Sequence, residues 1–455
     1  MADKLAKAYP RKHFFLEMFT RDISLEDCIL DLIDNSIDGL IKSRNLDISS
    51  SLLNGKNRAS KTSKLPTIKV SYSDTEFTIA DECGGIPLQD ALDDAFNFGH
   101  AAGESSGSLG VYGIGLKRAI FKIGELFEIK SHTTKDGFSI DLDVKKWAQK
   151  DSNLKDWTIP LTPKGGVLPN KAGTVITIRR LRPEVAMLIK AGGMDERLRR
   201  TVSKTYGLFL DRFVRIKLNG TAVEPFHIPI GESAEVTPAH DEFQDGDVRV
   251  RLFASLAARG PNQEWRGDVA GWYALCNGRI VVAADKTDLT GWGTIPSESG
   301  FLPQFHSGKF RGFIGVAFFE STNPLALPWT TTKRGLNRES PVYLRARNRM
   351  RGIARPIITF LDSLYKAEAP EETTGRNIAD AVKATNLSTI AAQPQSTFSV
   401  TPRGRTSARA TVSIQFEADR RDVDRVRKHI KHFKWGANKI GSYTFEHYLK
   451  TECPE

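Results

Sequence analysis

An α+β fold is expected for this chain of 455 residues, on three observations. Leu25, Ile29, Leu32, Ile33 and Leu40 recur at helical spacing, which predicts an amphipathic helix facing a core. Thr67-Ile-Lys-Val70-Ser-Tyr72 and Phe77-Thr-Ile79-Ala alternate, which predicts a β-hairpin ending at Asp81. From about Arg200 to Asn337, strand-like runs begin at Phe213, Val248, Gly271 and Gly312. Helices flank them, so a second α+β domain is expected. The length suits two to three domains with substantial cores.

The helix opens at Ser24-Leu-Glu-Asp27, a capping-box-like start. Besides its apolar face it carries Asp27, Asp31, Asn35 and Asp38 at spacings of four, four and three, a second and polar stripe. One reading of that stripe is a solvated face. The other is chemical: it holds no Lys or Arg to pair the carboxylates, and an amide sits between two acids. A carboxylate plus an amide is a set that suits Mg²⁺ and an attacking water.

Three Gly-bearing blocks follow. Asp81-Glu-Cys-Gly84-Gly85-Ile86 sets a carboxylate at a strand end before glycines that let backbone come close to a ligand; an ordinary tight turn is the alternative. Gly110-Val-Tyr-Gly113-Ile-Gly115-Leu116-Lys117 is a Gly-rich turn entering a helix, where backbone N–H groups form a nest for phosphate. It lacks the GK[ST] ending of a Walker A loop, and no strand runs directly into it as a dinucleotide fingerprint requires. The small, polar residues 98–108 before it suit either a lid or a disordered loop. Gly173-Thr174-Val-Ile-Thr-Ile reads as a short strand.

In this order the four blocks resemble the ATP-site motifs of the GHKL superfamily, which holds the gyrase ATPase subunit, the large heat-shock chaperone, sensor histidine kinases, MutL and the microrchidia ATPases. The resemblance covers roughly residues 12–180. It implies a GHKL (Bergerat) α/β sandwich that binds ATP and Mg²⁺, with Asp31 as general base and Asn35 as metal ligand. Asp81 would select adenine, supported by Thr174 through a hydrogen bond or a shared water. Asp38, Gly85, Ile86, Gly110, Gly113, Gly115, Leu116 and Lys117 complete the implied nucleotide site. Two positions depart from the pattern: the base is usually Glu, one methylene longer than Asp31, and Cys83 replaces a glycine.

A weaker resemblance runs over about 200–337. Cys276-Asn-Gly278-Arg279-Ile-Val-Val is similar to a strand of the gyrase and MutL transducer domains. Thr332-Lys333-Arg334 resembles the transducer loop whose Lys reaches the γ-phosphate, which makes Lys333 the candidate and Arg334 the second choice. A cation-rich surface loop is the alternative. The implied organisation is an ATP-binding domain (1–195), a transducer-like domain (196–368), a linker (369–410) rich in Ala, Thr, Ser, Pro and Gln, and a small basic module (411–455). In that module an alternating run over 410–416 reads as a strand. Val423, Val426, Ile430 and Phe433 read as an apolar stripe on a basic helix.

The activity implied is hydrolysis of ATP to ADP and phosphate, coupled to lid closure and homodimerisation. A nucleotide-gated module that does not hydrolyse is the rival. A histidine kinase is disfavoured because the ATP domain precedes any phosphoacceptor helices. Four cysteines without a CxxC pair argue for a reducing cytoplasm and against a zinc site. No signal peptide or membrane span is recognisable, so a cytoplasmic protein is expected. The net charge of +11 concentrates in Arg345–Arg355 and Arg403–Lys434. Such clusters suit nucleic acid or an acidic protein partner. The Arg21-Asp-Ile-Ser-Leu-Glu-Asp27 opening and the DLIDNS spelling of residues 31–36 most resemble the bacterial stand-alone and microrchidia-type branch, which suggests a role on DNA or in bacterial defence.

Overall fold

A computed structural model describes residues 10–46, 52–53, 65–97, 109, 113–151, 153–262, 264–293, 302–366, 378–401, 418–433 and 435–453. The chain divides into two compact units, one of Met1–Ala367 with Glu372–Arg403 and the other of Glu368–Glu371 with Gly404–Glu455.

The first unit opens with α1 (Lys12–Arg21) and α2 (Leu25–Ser43). Ser24 caps α2: its hydroxyl accepts from the Asp27 N–H at 3.0 Å and donates to the Asp27 carboxylate at 2.7 Å. An eight-stranded sheet comprises β1 (Thr67–Tyr72), β2 (Glu76–Asp81), β3 (Gly124–His132), β4 (Asp136–Asp143), β5 (Thr162–Gly165), β6 (Gly173–Leu181), β7 (Arg215–Leu218) and β8 (Thr221–Ala222). Their spatial order is β5-β4-β3-β6-β2-β1-β7-β8, antiparallel throughout except where β1 runs parallel to β7. On β1, Ile68 and Val70 are buried while Lys69 and Ser71 are exposed, the alternation of a sheet covered on one face. Ile79, Ile176, Ile178 and Ile129 belong to the same core as the apolar residues of α2. Each such side chain contributes roughly 1.5–3 kcal/mol by leaving water.

The polar stripe of α2 is not solvated. From Cys28 to Ile41 only Asn35 is exposed, and Asp31, Asp34 and Asp38 are buried. Leu109 closes on Asp38 and Arg118 on Asp31, and Asp34 is covered from a second sheet. That sheet comprises β9 (Ala239–Asp245), β10 (Val248–Leu256), β11 (Gly271–Cys276), β12 (Arg279–Asp285) and β13 (Phe313–Glu320), in the order β9-β10-β13-β11-β12. Residues of β12 and of the loop after β13 reach α2. The run from Gly271 is therefore a hairpin rather than one strand. It turns at Asn277 and Gly278, both at positive φ (46° and 84°), as an Asn-Gly hairpin turn requires. Every residue of β11 and β13 is buried, which explains their unbroken apolar runs.

One further feature gains partners, and one further expectation changes. The basic helix lies within α3 (Pro341–Lys366), and its arginines are engaged within the chain. Arg345 pairs with Asp245 at 2.6 Å, Arg349 with Asp241 at 3.0 Å, and Arg347 donates to the Asp288 carbonyl. Arg351 is buried. The region read as a linker over 369–410 is not one over 378–401. There Ile378, Val382, Leu387, Ile390 and Phe398 are buried, Lys383–Ala384 pairs with Gly231–Glu232, and Ser399–Val400 pairs with Val236–Thr237. These pairings last two residues each, too short to leave a period in the sequence.

The second unit holds α4 (Arg420–His429) and α5 (Ala437–Glu452). The first of these ends at His429, before the expected stripe is complete, and Phe433 is exposed. The strand expected over 410–416 and Arg403 lie outside the described residues, as does Lys434. No helix among the described residues is long and apolar enough to cross a membrane.

Candidate functional site

The sequence motifs converge on one cleft. From α2 come Asp31, Asn35 and Asp38, one helical turn apart, with Leu32 and Ser36 between them. Asp81, Gly85, Ile86, Thr174, Gly113, Gly115, Leu116 and Lys333 line the same cleft.

At one end stands Asp81, where β2 stops. Its Oδ1 accepts from the N–H groups of Cys83 at 2.9 Å and Thr174 at 3.2 Å, and its Oδ2 from the Ser36 hydroxyl at 2.9 Å. Burial raises the carboxyl above its ordinary value, and these donors work against that shift. Thr174 thus reaches Asp81 through its backbone. Its hydroxyl pairs instead with Ser131 at 2.8 Å, which also accepts the Ile86 N–H at 2.7 Å. Ile79, Ile86 and Ile176 make the adjoining wall apolar. Gly85 is required here: its φ is +75°, and a Cβ would lie 2.1 Å from the His132 carbonyl oxygen.

At the other end a helix, Gly115–Ile123, begins beside Asp31. Gly115 permits the approach, since a Cβ there would already be 3.1 Å from the Asp31 side chain. Gly113, at φ +60°, turns the chain into that helix. Gly110 and residues 98–108, the expected lid, lie outside the described residues. Leu109 donates its N–H to Asp38 at 2.5 Å.

Lys117 is a correction. It does not line the cleft; its buried ammonium donates to the carbonyls of Ala95, at 3.0 Å, and Asn97. Burial brings its pKa down to about 8. The neighbouring Arg118 faces the cleft instead and pairs with Asp31 at 3.1 Å. Lys333 and Arg334 also separate. Arg334 pairs with Asp27 at 2.6 Å near the start of α2, whereas Lys333 lines the cleft with its Nζ 3.7 Å from Asp31.

Residues 23–174 match the family model described as histidine kinase-, DNA gyrase B- and HSP90-like ATPase. The chain carries a GHKL-type ATPase domain. No curated protein matches the chain. The GHKL domain is an ATP-binding domain, and its matched span takes in the whole motif series except Lys333.

Behind the cleft of the GHKL domain is a polar cluster that sequence reasoning missed. Asp34 is completely buried. Its Oδ1 accepts from the Tyr206 hydroxyl at 2.7 Å and from Arg279 Nε at 3.0 Å, and its Oδ2 from Lys333 Nζ at 2.7 Å. Burial would raise its pKa, but Arg279 and Lys333 hold it below the ordinary value. Asp31 is shifted the other way: burial raises its carboxyl, with Lys333 and Arg118 opposing and Asp34 assisting. Only the acidic character of the DLIDNS spelling hinted at Asp34. Its partners lie 172 to 299 residues away.

The donor set fits Mg²⁺ in one manner. Among the described residues no group of three or more His, Cys, Asp or Glu could hold a metal ion alone. Asn35, exposed in the cleft between acids, offers a single amide oxygen, which suits an ion that takes most of its ligands from phosphates and water.

Proposed function

We propose that the chain is a Mg²⁺-dependent ATPase that hydrolyses ATP to ADP and phosphate. The observation that carries this reading is the convergence of Asp31 and Asn35, the Gly113–Gly115 turn and Lys333 on the cleft that ends at Asp81. Adenine would meet Asp81 and the isoleucine wall, and the phosphates would lie toward the Gly115 helix N-terminus. Asn35 would hold Mg²⁺, which when bound neutralises charge on the phosphate oxygens.

Asp31 would take a proton from water as the water oxygen bonds the γ-phosphorus and the bond to the β-phosphate oxygen breaks. The departing electron pair stays on ADP. Arg118 fixes the orientation of this carboxylate. Burial raises its proton affinity, as a general base needs. Lys333 would place a point charge beside the transferred group, so that nucleotide state is read by the loop after the second sheet. Closure of residues 98–108 and homodimerisation belong to the same reading.

A second reading has support in the same geometry: Asp31 is short and engaged by Arg118, which suits a nucleotide-gated module without turnover. Phosphate release from ATP, measured across a Mg²⁺ titration, separates the two. The ATPase reading expects Mg²⁺-dependent turnover, and Asn35→Ala should raise the Mg²⁺ concentration needed. Absence of phosphate release at any Mg²⁺ concentration would leave the binding module.

A further inference from the structure

We infer that Asp34 is a positioning residue that holds the Lys333 ammonium at the phosphate end of the cleft, with Arg279 and Tyr206 fixing Asp34 in turn. This rests on the reading of the cleft as an ATP site.

Asp34 has no surface exposed and does not line the cleft, so it touches no ligand itself. Its two oxygens divide their work. Oδ1 faces Tyr206 and Arg279; Oδ2 faces Lys333 alone among the hydrogen-bond partners described. Arg279 then closes a ring, because its Nη1 donates to the carbonyl oxygen of Lys333 itself. The lysine is thus held at both ends, side chain and backbone, by one buried ion pair. Its backbone is in the left-handed region at φ +54°, uncommon for a residue with a side chain, and its N–H donates to Thr330 O at 2.8 Å. A free lysine side chain has rotamer entropy to lose before it can act as a fixed charge. Here that ordering is done in advance by groups of the fold, and the ammonium ends 3.7 Å from Asp31.

The ring also joins the two sheets. Asp34 sits on α2 under the eight-stranded sheet, whereas Arg279 begins β12 and Lys333 follows β13. A shift of the second sheet would carry Arg279 and the Lys333 loop together, and Asp34 is their common anchor on the nucleotide side.

The test compares wild type, Asp34→Asn, Lys333→Ala and the double variant, all in the full chain. The amide keeps an oxygen for Arg279 and Tyr206 but turns an N–H₂ toward the ammonium, and because Arg279 loses the charge as well, the Lys333→Ala background serves as the control. Two quantities are read: kcat for ATP, and the ratio of ADP Kd to the Kd of a non-hydrolysable ATP analogue. Asp34→Asn should lower kcat by on the order of 10²-fold with KM little changed, as for a misplaced catalytic group. It should also lower the affinity ratio, and neither effect should appear in the Lys333→Ala background. Equal losses in both backgrounds would make Asp34 merely structural and overturn the proposal, as would a fully active Asp34→Asn. If that variant does not fold, Tyr206→Phe keeps every charge and removes one hydrogen bond to Asp34. Its expected loss in kcat is on the order of tenfold, the low end for one hydrogen bond to a charged acceptor, and it too should vanish without Lys333. A wild type that does not turn over would sink the hydrolysis reading alone, because the affinity ratio still decides the role of Asp34.

Discussion

Replacing Asp81 by Asn should separate nucleotide recognition from folding. Asp81 Oδ1 accepts two N–H groups, and an amide oxygen can keep both. The amide nitrogen would replace Oδ2 opposite Ser36. That hydroxyl can rotate to accept, since it already lies 3.3 Å from the Leu32 carbonyl, to which it can donate. The fold should therefore hold, with a melting temperature within a few degrees of wild type. For the adenine amino group the same change is unfavourable, because a donor now meets a donor. Losing a hydrogen bond to a charged acceptor costs about 1.5–3 kcal/mol, and an unsatisfied buried donor about 1–3 more. A combined loss of about 3–4 kcal/mol weakens ATP binding by on the order of 10²–10³-fold. Calorimetric titration with a non-hydrolysable ATP analogue measures this directly. Inosine triphosphate, whose 6-oxo group accepts, should lose less than ATP does. An Asp81→Asn protein that binds the ATP analogue as wild type does would refute the adenine assignment, whatever its turnover.

Other expectations follow from the same geometry. Gly85→Ala should abolish ATP binding and lower the melting temperature, because the added Cβ would overlap the His132 carbonyl at a left-handed φ; a stable, ATP-binding variant would contradict this. Asp31 must be ionised to accept a proton and burial raises its pKa, so kcat/KM for ATP should fall on acidification at a pH above the ordinary carboxylate value of about 4. An acid limb at or below 4 would count against Asp31 as the base. Asp34 has the opposite sign. Its folded pKa is depressed, so its stabilising contribution is full above about pH 4 and disappears as pH falls through the lower folded value. Chemical denaturation across pH should show that acid-side loss in wild type and not in Asp34→Asn.

What the sequence discloses is local. The cap at Ser24, the apolar face of α2, the hairpin ending at Asp81 and the glycines that admit close approach all follow from neighbours in the chain. The cleft was legible because each motif carries its own residue pattern. Its electrostatics were not. The stripe on α2 has no cation of its own, but Arg118, Lys333 and Arg334 supply cations from remote parts of the chain. Asp34 reads as one more acid on a helix until Arg279 and Tyr206 close on it. The same limitation applies to the arginines of α3: the sequence shows the cationic cluster but not that Asp241 and Asp245 on a neighbouring strand pair with two of its members. Lys117 misled for a smaller reason: adjacent helical residues point about a quarter-turn apart, so Leu116 and Arg118 face the cleft while Lys117 reaches Ala95.

The central claim is that this cleft hydrolyses the ATP it binds, with Asp31 as base. Phosphate release by Asp31→Asn, measured beside its affinity for a non-hydrolysable ATP analogue, tests it most directly. The account predicts affinity within a few-fold of wild type and turnover lower by on the order of 10²–10⁴-fold. Undiminished turnover in Asp31→Asn would contradict it, as would a wild-type chain that binds ATP and releases no phosphate.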